Sequence, residues 1–105
     1  MWSLIKKTFT NHNQINMREL IQQGAVVLDV RTLSEYNSGH VKKSINIPLS
    51  ELPTRLGELQ KENPIIVCCA SGIRSLKAKV LLNSNGFNHV HNGCTWFDVE
   101  KSLNQ

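Results

Sequence analysis

The sequence predicts an α/β domain, a parallel sheet with helices on both faces joined by right-handed crossovers. Three observations carry that prediction. Ala25-Val26-Val27-Leu28-Asp29-Val30 and Ile65-Ile66-Val67-Cys68-Cys69 are short apolar runs rich in β-branched residues, the composition of strands buried on both faces. Stretches with helical caps and helical spacing lie between and after them, so strands and helices alternate. The second run ends on Cys69, at the carboxyl end of its strand, where open α/β sheets bind their ligands.

The elements follow in order. Residues 1–14 have no strong period, and Thr10-Asn11-His12-Asn13-Gln14 reads as a polar loop or arm. Asn16 caps a short helix through Gln23, with Gly24 as its stop, and the first buried strand follows at 25–30. Thr32-Leu33-Ser34-Glu35 is a capping box, which predicts a helix of one to two turns running to Ser38 and ending at Gly39. Ile45-Asn46-Ile47 is a short strand before Pro48. Ser50 caps a predicted helix with Leu52, Leu56 and Leu59 on one face and Gly57 as a weak point, ending before Asn63-Pro64. After the strand at 65–69, a helix from near Ser75 to Asn85 turns Leu76, Val80 and Leu81 to the sheet and Lys77 and Lys79 outward. Val90 and His91 form a last short strand, and Thr95 caps a C-terminal helix to about Leu103.

The 105 residues are enough for one domain that buries roughly two-thirds of its unfolded surface without disulfides or metals. No tract marks a linker or a repeat. The first residues, Met1-Trp2-Ser3-Leu4-Ile5-Lys6-Lys7, put their charges after a very short apolar patch, the reverse of a secretory signal, and no stretch is long enough to span a membrane. Three cysteines without secretory context predict reduced thiols in a cytoplasmic protein. The net charge of +4 favours small anions or acidic partner surfaces, but the cations are scattered without interleaved aromatics, so no nucleic-acid partner is expected.

Cys69 is followed by Ala70-Ser71-Gly72-Ile73-Arg74-Ser75. A thiol attacks only as its thiolate, and a free cysteine with a pKa of about 8.5 is mostly protonated at neutral pH. If residues 70–74 curl around the sulfur, their N–H groups converge on it and the next helix adds the positive end of its dipole. Gly72 permits the curl, and Arg74 brings a permanent positive charge near the anion, either inside the cradle or bracing the loop from outside.

This Cys-x-x-Gly-x-Arg loop resembles the active-site loop of the single-domain rhodaneses, sulfurtransferases that carry sulfur as a cysteine persulfide. Leu28-Asp29-Val30-Arg31, Glu35-Tyr36, Gly39-His40 and Asn46-Ile47-Pro48-Leu49 resemble the family's first strand–helix signature, and Asn92-Gly93 with Trp96 its C-terminal turn. Cys94 departs from the pattern, standing where the family usually has a second glycine. The resemblance implies a rhodanese-like fold with a central, mostly parallel sheet of about five strands, divided here into an arm at 1–14 and the domain at 15–105. It also implies transfer of sulfane sulfur from a small anionic donor such as thiosulfate to cyanide or to a thiol, on a small molecule or a protein. Cys69 is the expected nucleophile, Ala70, Ser71, Gly72, Ile73 and Ser75 bind the transferred sulfur, and Arg74 orients or braces the loop; no cofactor or metal is expected.

Two rivals stand beside this reading. The arsenate reductases and cell-cycle phosphatases related to the fold have a similar loop with one more residue, wide enough for a tetrahedral phosphate, whereas four residues between Cys69 and Arg74 suit one extra sulfur atom. A non-catalytic binding or sulfur-carrier module would leave the cysteine incidental. Among the remaining residues, Cys68 points to the opposite face of the strand and reads as core. Asp29 is a structural anchor for loop N–H groups or Arg31, and Arg31 and Glu35 pair with each other or with backbone. His40 stabilises its turn. Cys94 reads as a small surface or half-buried residue, with a sulfur-relay role as the sharper alternative.

Overall fold

The computed structural model describes residues 16–104, so the arm expected at 1–14 lies outside it. Among the described residues four α-helices and four strands follow in the order α1 (Met17–Gln22), β1 (Val26–Asp29), α2 (Leu33–Asn37), β2 (Ile45–Asn46), β3 (Ile65–Cys69), α3 (Ile73–Ser84), β4 (Val90–Thr95) and α4 (Trp96–Leu103). The sheet runs β2-β1-β3-β4 with every pair parallel, four strands among the described residues, in keeping with the expected architecture. Its central strand β3 is fully buried along its length, as its unbroken apolar sequence requires.

Successive residues of β3 feed two cores. On one face Ile65, Val67 and Cys69 pack with Leu28, Val30, Ala78 and Leu82; on the other Ile66 and Cys68 pack with Val27, Val41 and Val99, joined by Met17, Leu20, Trp96 and Leu103. Thus α3 covers the first face and α1 and α4 cover the second. The caps follow the sequence: Asn16 accepts from Glu19 N–H, Thr32 and Glu35 form the capping box, and Thr95 accepts from Asp98 N–H.

Three expectations are corrected. The helix expected after Ser50 is instead two single 3-10 turns, Leu52–Thr54 and Leu56–Glu58, the first with no side-chain cap. Pro53 and Gly57 sit inside the expected helix, one lacking a donor and the other favouring the unfolded chain, while Leu52 and Leu59 are still buried. The helix after the loop begins at Ile73 rather than near Ser75, and its buried residues are Ser75, Ala78 and Leu82; Leu76 and Val80, expected on the sheet, face solvent. The last strand extends beyond His91 to Thr95 and carries a bulge, since Val67 pairs with Asn92 but Cys68 with Cys94.

Candidate active site

Cys69 ends β3 with no exposed surface, and its Sγ accepts hydrogen bonds from Gly72 N–H at 3.0 Å and Ser75 N–H at 3.3 Å. The sequence produces this locally. Gly72 sits at φ 96°, a left-handed conformation that a Cβ disfavours, and this turns the chain straight into α3. Gly72 is also the N-cap position of α3 but has no side chain to cap with, and Ser75 stands three residues on, where a cap would accept its N–H. The sulfur of Cys69 takes that place, so donors that the first helical turn leaves free point at the candidate nucleophile.

Burial alone pushes the Cys69 thiol up, but hydrogen bonds from the Ser75 hydroxyl and from the N–H groups of Ser75, Gly72 and Ser71 outweigh it, and the net shift is downward. The backbone donors are the permanent ones. The Ser75 hydroxyl has a single proton and lies 2.7 Å from Asn92 Oδ1 and 3.0 Å from the Gly72 carbonyl, which compete for it.

Arg74 braces the loop from outside. Its Nη1 and Nη2 reach Glu35 Oε1 and Oε2 at 2.7 and 2.9 Å, a bidentate pair that ties α3 to α2 and holds the Glu35 carboxyl down to about 2, chiefly through the Arg74 hydrogen bond. The Glu35 carboxylate therefore pairs with Arg74, while Arg31 Nη1 donates to the Glu35 backbone carbonyl at 3.3 Å. Arg31 is buried, donates to both oxygens of Asp29 through Nε at 2.9 and 3.0 Å and Nη2 at 2.7 Å, and reaches the Gly39 carbonyl at 2.7 Å. Its guanidinium also lies over the Trp96 ring, 4.9 Å from the centroid. Asp29 and Arg31 are thus brought together, as expected, but Asp29 pairs in register with Cys68, so its charge lies on the face away from Cys69. His40 sits in its turn with Nδ1 2.7 Å from the Tyr36 carbonyl, stacked on the Tyr36 ring.

The floor of the site is the β4 bulge. A Cβ on Gly93 would lie 2.6 Å from Val99 Cγ2 and 2.9 Å from Ile66 Cγ2, so no larger residue fits. Asn92 Oδ1 accepts from the Ser75 hydroxyl and, at 2.9 Å, from Cys94 N–H, joining the bulge to the loop. Cys94 is exposed and at φ 69°, which gives the physical reason a glycine suits the position.

The Rhodanese-like domain family matches residues 14–93. The chain belongs to that family. Within it, this rhodanese-like domain is 37% identical over 67 residues to the thiosulfate sulfurtransferase PspE of Escherichia coli, covering 62% of this chain and 64% of the relative. It is 29% identical over 85 residues to a sulfurtransferase of Allochromatium vinosum, covering 76% and 79%. A solved rhodanese with anions from E. coli superposes with a TM-score of 0.67 at 34% identity, covering 70% of this chain and 89% of that one. The chain spans 54%, 23% and 36% of the length of three further curated relatives.

The sequence reading missed the Glu35–Arg74 pair and the part played by Asn92. Glu35 and Arg74 are 39 residues apart, and no local pattern joins them. Asn92 stood in the quoted C-terminal turn, yet its acceptor role becomes visible only once β4 lies beside β3.

Among the described residues no helix is long and apolar enough to cross a membrane.

Proposed function

We propose that this rhodanese-like domain is a sulfurtransferase that carries sulfane sulfur as a persulfide on Cys69. The observation that carries the reading is the pair of N–H groups, Gly72 and Ser75, donated to Cys69 Sγ at the start of α3. Donors aimed there stabilise a thiolate before transfer and, one bond further out, the anionic terminal sulfur after it.

The Cys69 thiolate attacks the outer sulfur of thiosulfate. The Sγ–S bond forms, the donor's S–S bond breaks, and sulfite leaves with the bonding pair. Cyanide or a thiolate then takes the outer sulfur and returns the electron pair to Sγ. The protein's oxidation state is restored each cycle, so no cofactor is required. In this reading Ala70, Ser71, Gly72, Ile73 and Ser75 bind the transferred sulfur, Arg74 positions the loop through Glu35, and Asp29 with Arg31 support the sheet edge.

Because Sγ has no exposed surface, a donor reaches it only as the exposed Ala70 and Ser71 yield. With Arg74 engaged by Glu35, the dianion thiosulfate meets only N–H dipoles in the loop, which favours a small persulfide as the physiological donor and leaves thiosulfate as the assay substrate. The same reading takes residues 15–105 as the working domain and the reducing cytoplasm as its compartment.

Incubation with thiosulfate and no acceptor is expected to add the mass of one sulfur atom, mapped by peptide analysis to Cys69, and cyanide is expected to remove it. If neither thiosulfate nor a low-molecular-weight persulfide changes the mass of Cys69, sulfur transfer fails as the reading and a non-catalytic binding module takes its place.

A further inference from the structure

Helix α3 turns Ser75, Ala78 and Leu82 to the sheet, two of them small, and leaves Ile73, Leu76 and Val80 exposed by 63%, 53% and 59%. The spacing i, i+3, i+7 puts those three on one stripe. Single exposed apolar residues are ordinary, but these three align on one helix face. The stripe is also basic: Lys77 and Lys79 lie on α3, neither is in an ion pair among the described residues, and α3 contains no acidic residue. It begins at Ile73, adjacent to the Gly72 whose N–H holds the sulfur.

We propose that this stripe docks a protein partner that exchanges sulfur with Cys69, an acidic segment with apolar side chains and a reactive thiol. The proposal rests on the sulfurtransferase reading above. Charge selects the occupant. Residues 1–14 offer Trp2, Leu4, Ile5 and Phe9 but carry Lys6 and Lys7 with no acid, and a second copy stacked stripe to stripe sets Lys77 and Lys79 against their own kind. An acidic partner complements both the lysines and the net charge of +4. Seated on the stripe, its thiolate attacks the outer sulfur of the Cys69 persulfide. A new S–S bond forms on the partner, the Sγ–S bond breaks, and Cys69 is released as thiolate.

The test uses the full chain loaded with sulfur from thiosulfate and two synthetic amphipathic peptides, each with one cysteine and the same leucines, one with glutamates and one with lysines at its polar positions. Acceptance by the glutamate peptide is expected to have a kcat/KM at least tenfold above that of the lysine peptide, with the difference shrinking as salt rises. Lys77→Glu/Lys79→Glu is expected to reverse the order, and Leu76→Ser/Val80→Ser to raise KM for the glutamate peptide about tenfold; neither changes transfer to cyanide. Equal acceptance of both peptides by a protein that still transfers sulfur to cyanide overturns the docking proposal alone, whereas absence of a Cys69 persulfide overturns the reading beneath it. The proposal is also overturned if Leu76→Ser/Val80→Ser abolishes a dimer seen by sedimentation, which makes the occupant a second copy. A fall in melting temperature of more than about 3 °C in that variant overturns it too, because the chain then covers the stripe itself.

Discussion

Cys68 and Cys69 are neighbours on one strand, equally buried, and their thiols are shifted in opposite directions. Cys68 faces the core made by Val27, Ile66 and Val99, in register with Asp29; burial pushes its thiol far up and the Asp29 carboxylate adds to the rise. Cys69 faces the other way at the point where the sheet gives out. Burial pushes it up as well, but the first turn of α3 supplies donors that reverse the sign. Burial therefore does not fix the direction in which a buried thiol is shifted. The face it takes does, because Cys69 meets N–H groups at the first turn of α3.

The largest effect expected is on that contrast itself. Cys69→Ser should lower sulfur transfer by on the order of 10³-fold or more. Cys68→Ser should leave turnover nearly intact while lowering stability by about 1–3 kcal/mol, since a hydroxyl is buried without a partner. The two thiols also oppose each other in pH dependence. Cys69, depressed in the folded state, contributes stability that is full above the free-thiol pKa and is lost as pH falls through its folded value. Cys68, raised, contributes stability that is full below the free-thiol pKa and fades as pH climbs toward its folded value. Iodoacetamide rates against pH should accordingly rise at Cys69 with a midpoint below that of a free thiol, and Cys68 should stay unmodified. Turnover falling equally in both serine variants would erase the contrast and point to a dithiol mechanism.

A second effect isolates the face that Cys68 occupies. Asp29→Ala leaves the buried Arg31 guanidinium without its carboxylate, and losing one partner of a buried pair costs about 3–5 kcal/mol. Urea unfolding should register that loss, while Cys69 in the remaining folded protein alkylates at the wild-type rate, because the carboxylate stood on the other side of the sheet. A Cys69 rate that shifts with Asp29→Ala would mean the two faces are coupled.

Much of this was legible in the sequence. Strands β1 and β3 have no polar alternation to hide them, the three side-chain caps obey local rules, and the loop from Cys69 to Arg74 is continuous in the chain. Where Pro53 and Gly57 met a leucine pattern, periodicity overstated the helix, because leucines spaced for a helix are buried equally well by two 3-10 turns. On α3 the pattern misled in the other direction: hydrophobicity pointed Leu76 and Val80 inward, yet close approach to β3 and β4 selected the small Ser75 and Ala78. Contacts that bridge elements, Arg74 to Glu35 and Ser75 to Asn92, have no local signature at all.

The smallest effect concerns the third cysteine, and it tests whether the ground under the loop is shaped by backbone or by sulfur. Cys94 is exposed at φ 69°, its N–H held by Asn92 Oδ1, and a Cβ on Gly72 would stand 3.7 Å from its own Cβ. Left-handed backbone costs a non-glycine residue roughly 1–2 kcal/mol, and glycine gives back about 0.5–1 kcal/mol of that through the entropy of the unfolded chain. Cys94→Gly should therefore stabilise the fold by about 0.5–1 kcal/mol in urea unfolding. Cys94→Ala, which removes the sulfur and keeps the strained φ, should change stability little. Neither should alter the alkylation rate of Cys69, whose donors come from Gly72 and Ser75. If both variants destabilise the protein alike, the exposed thiol contributes contacts of its own. If both slow the release of sulfur from a loaded Cys69 to cyanide, Cys94 acts in transfer, and the contrast between a reactive and a packing cysteine has to admit a third kind.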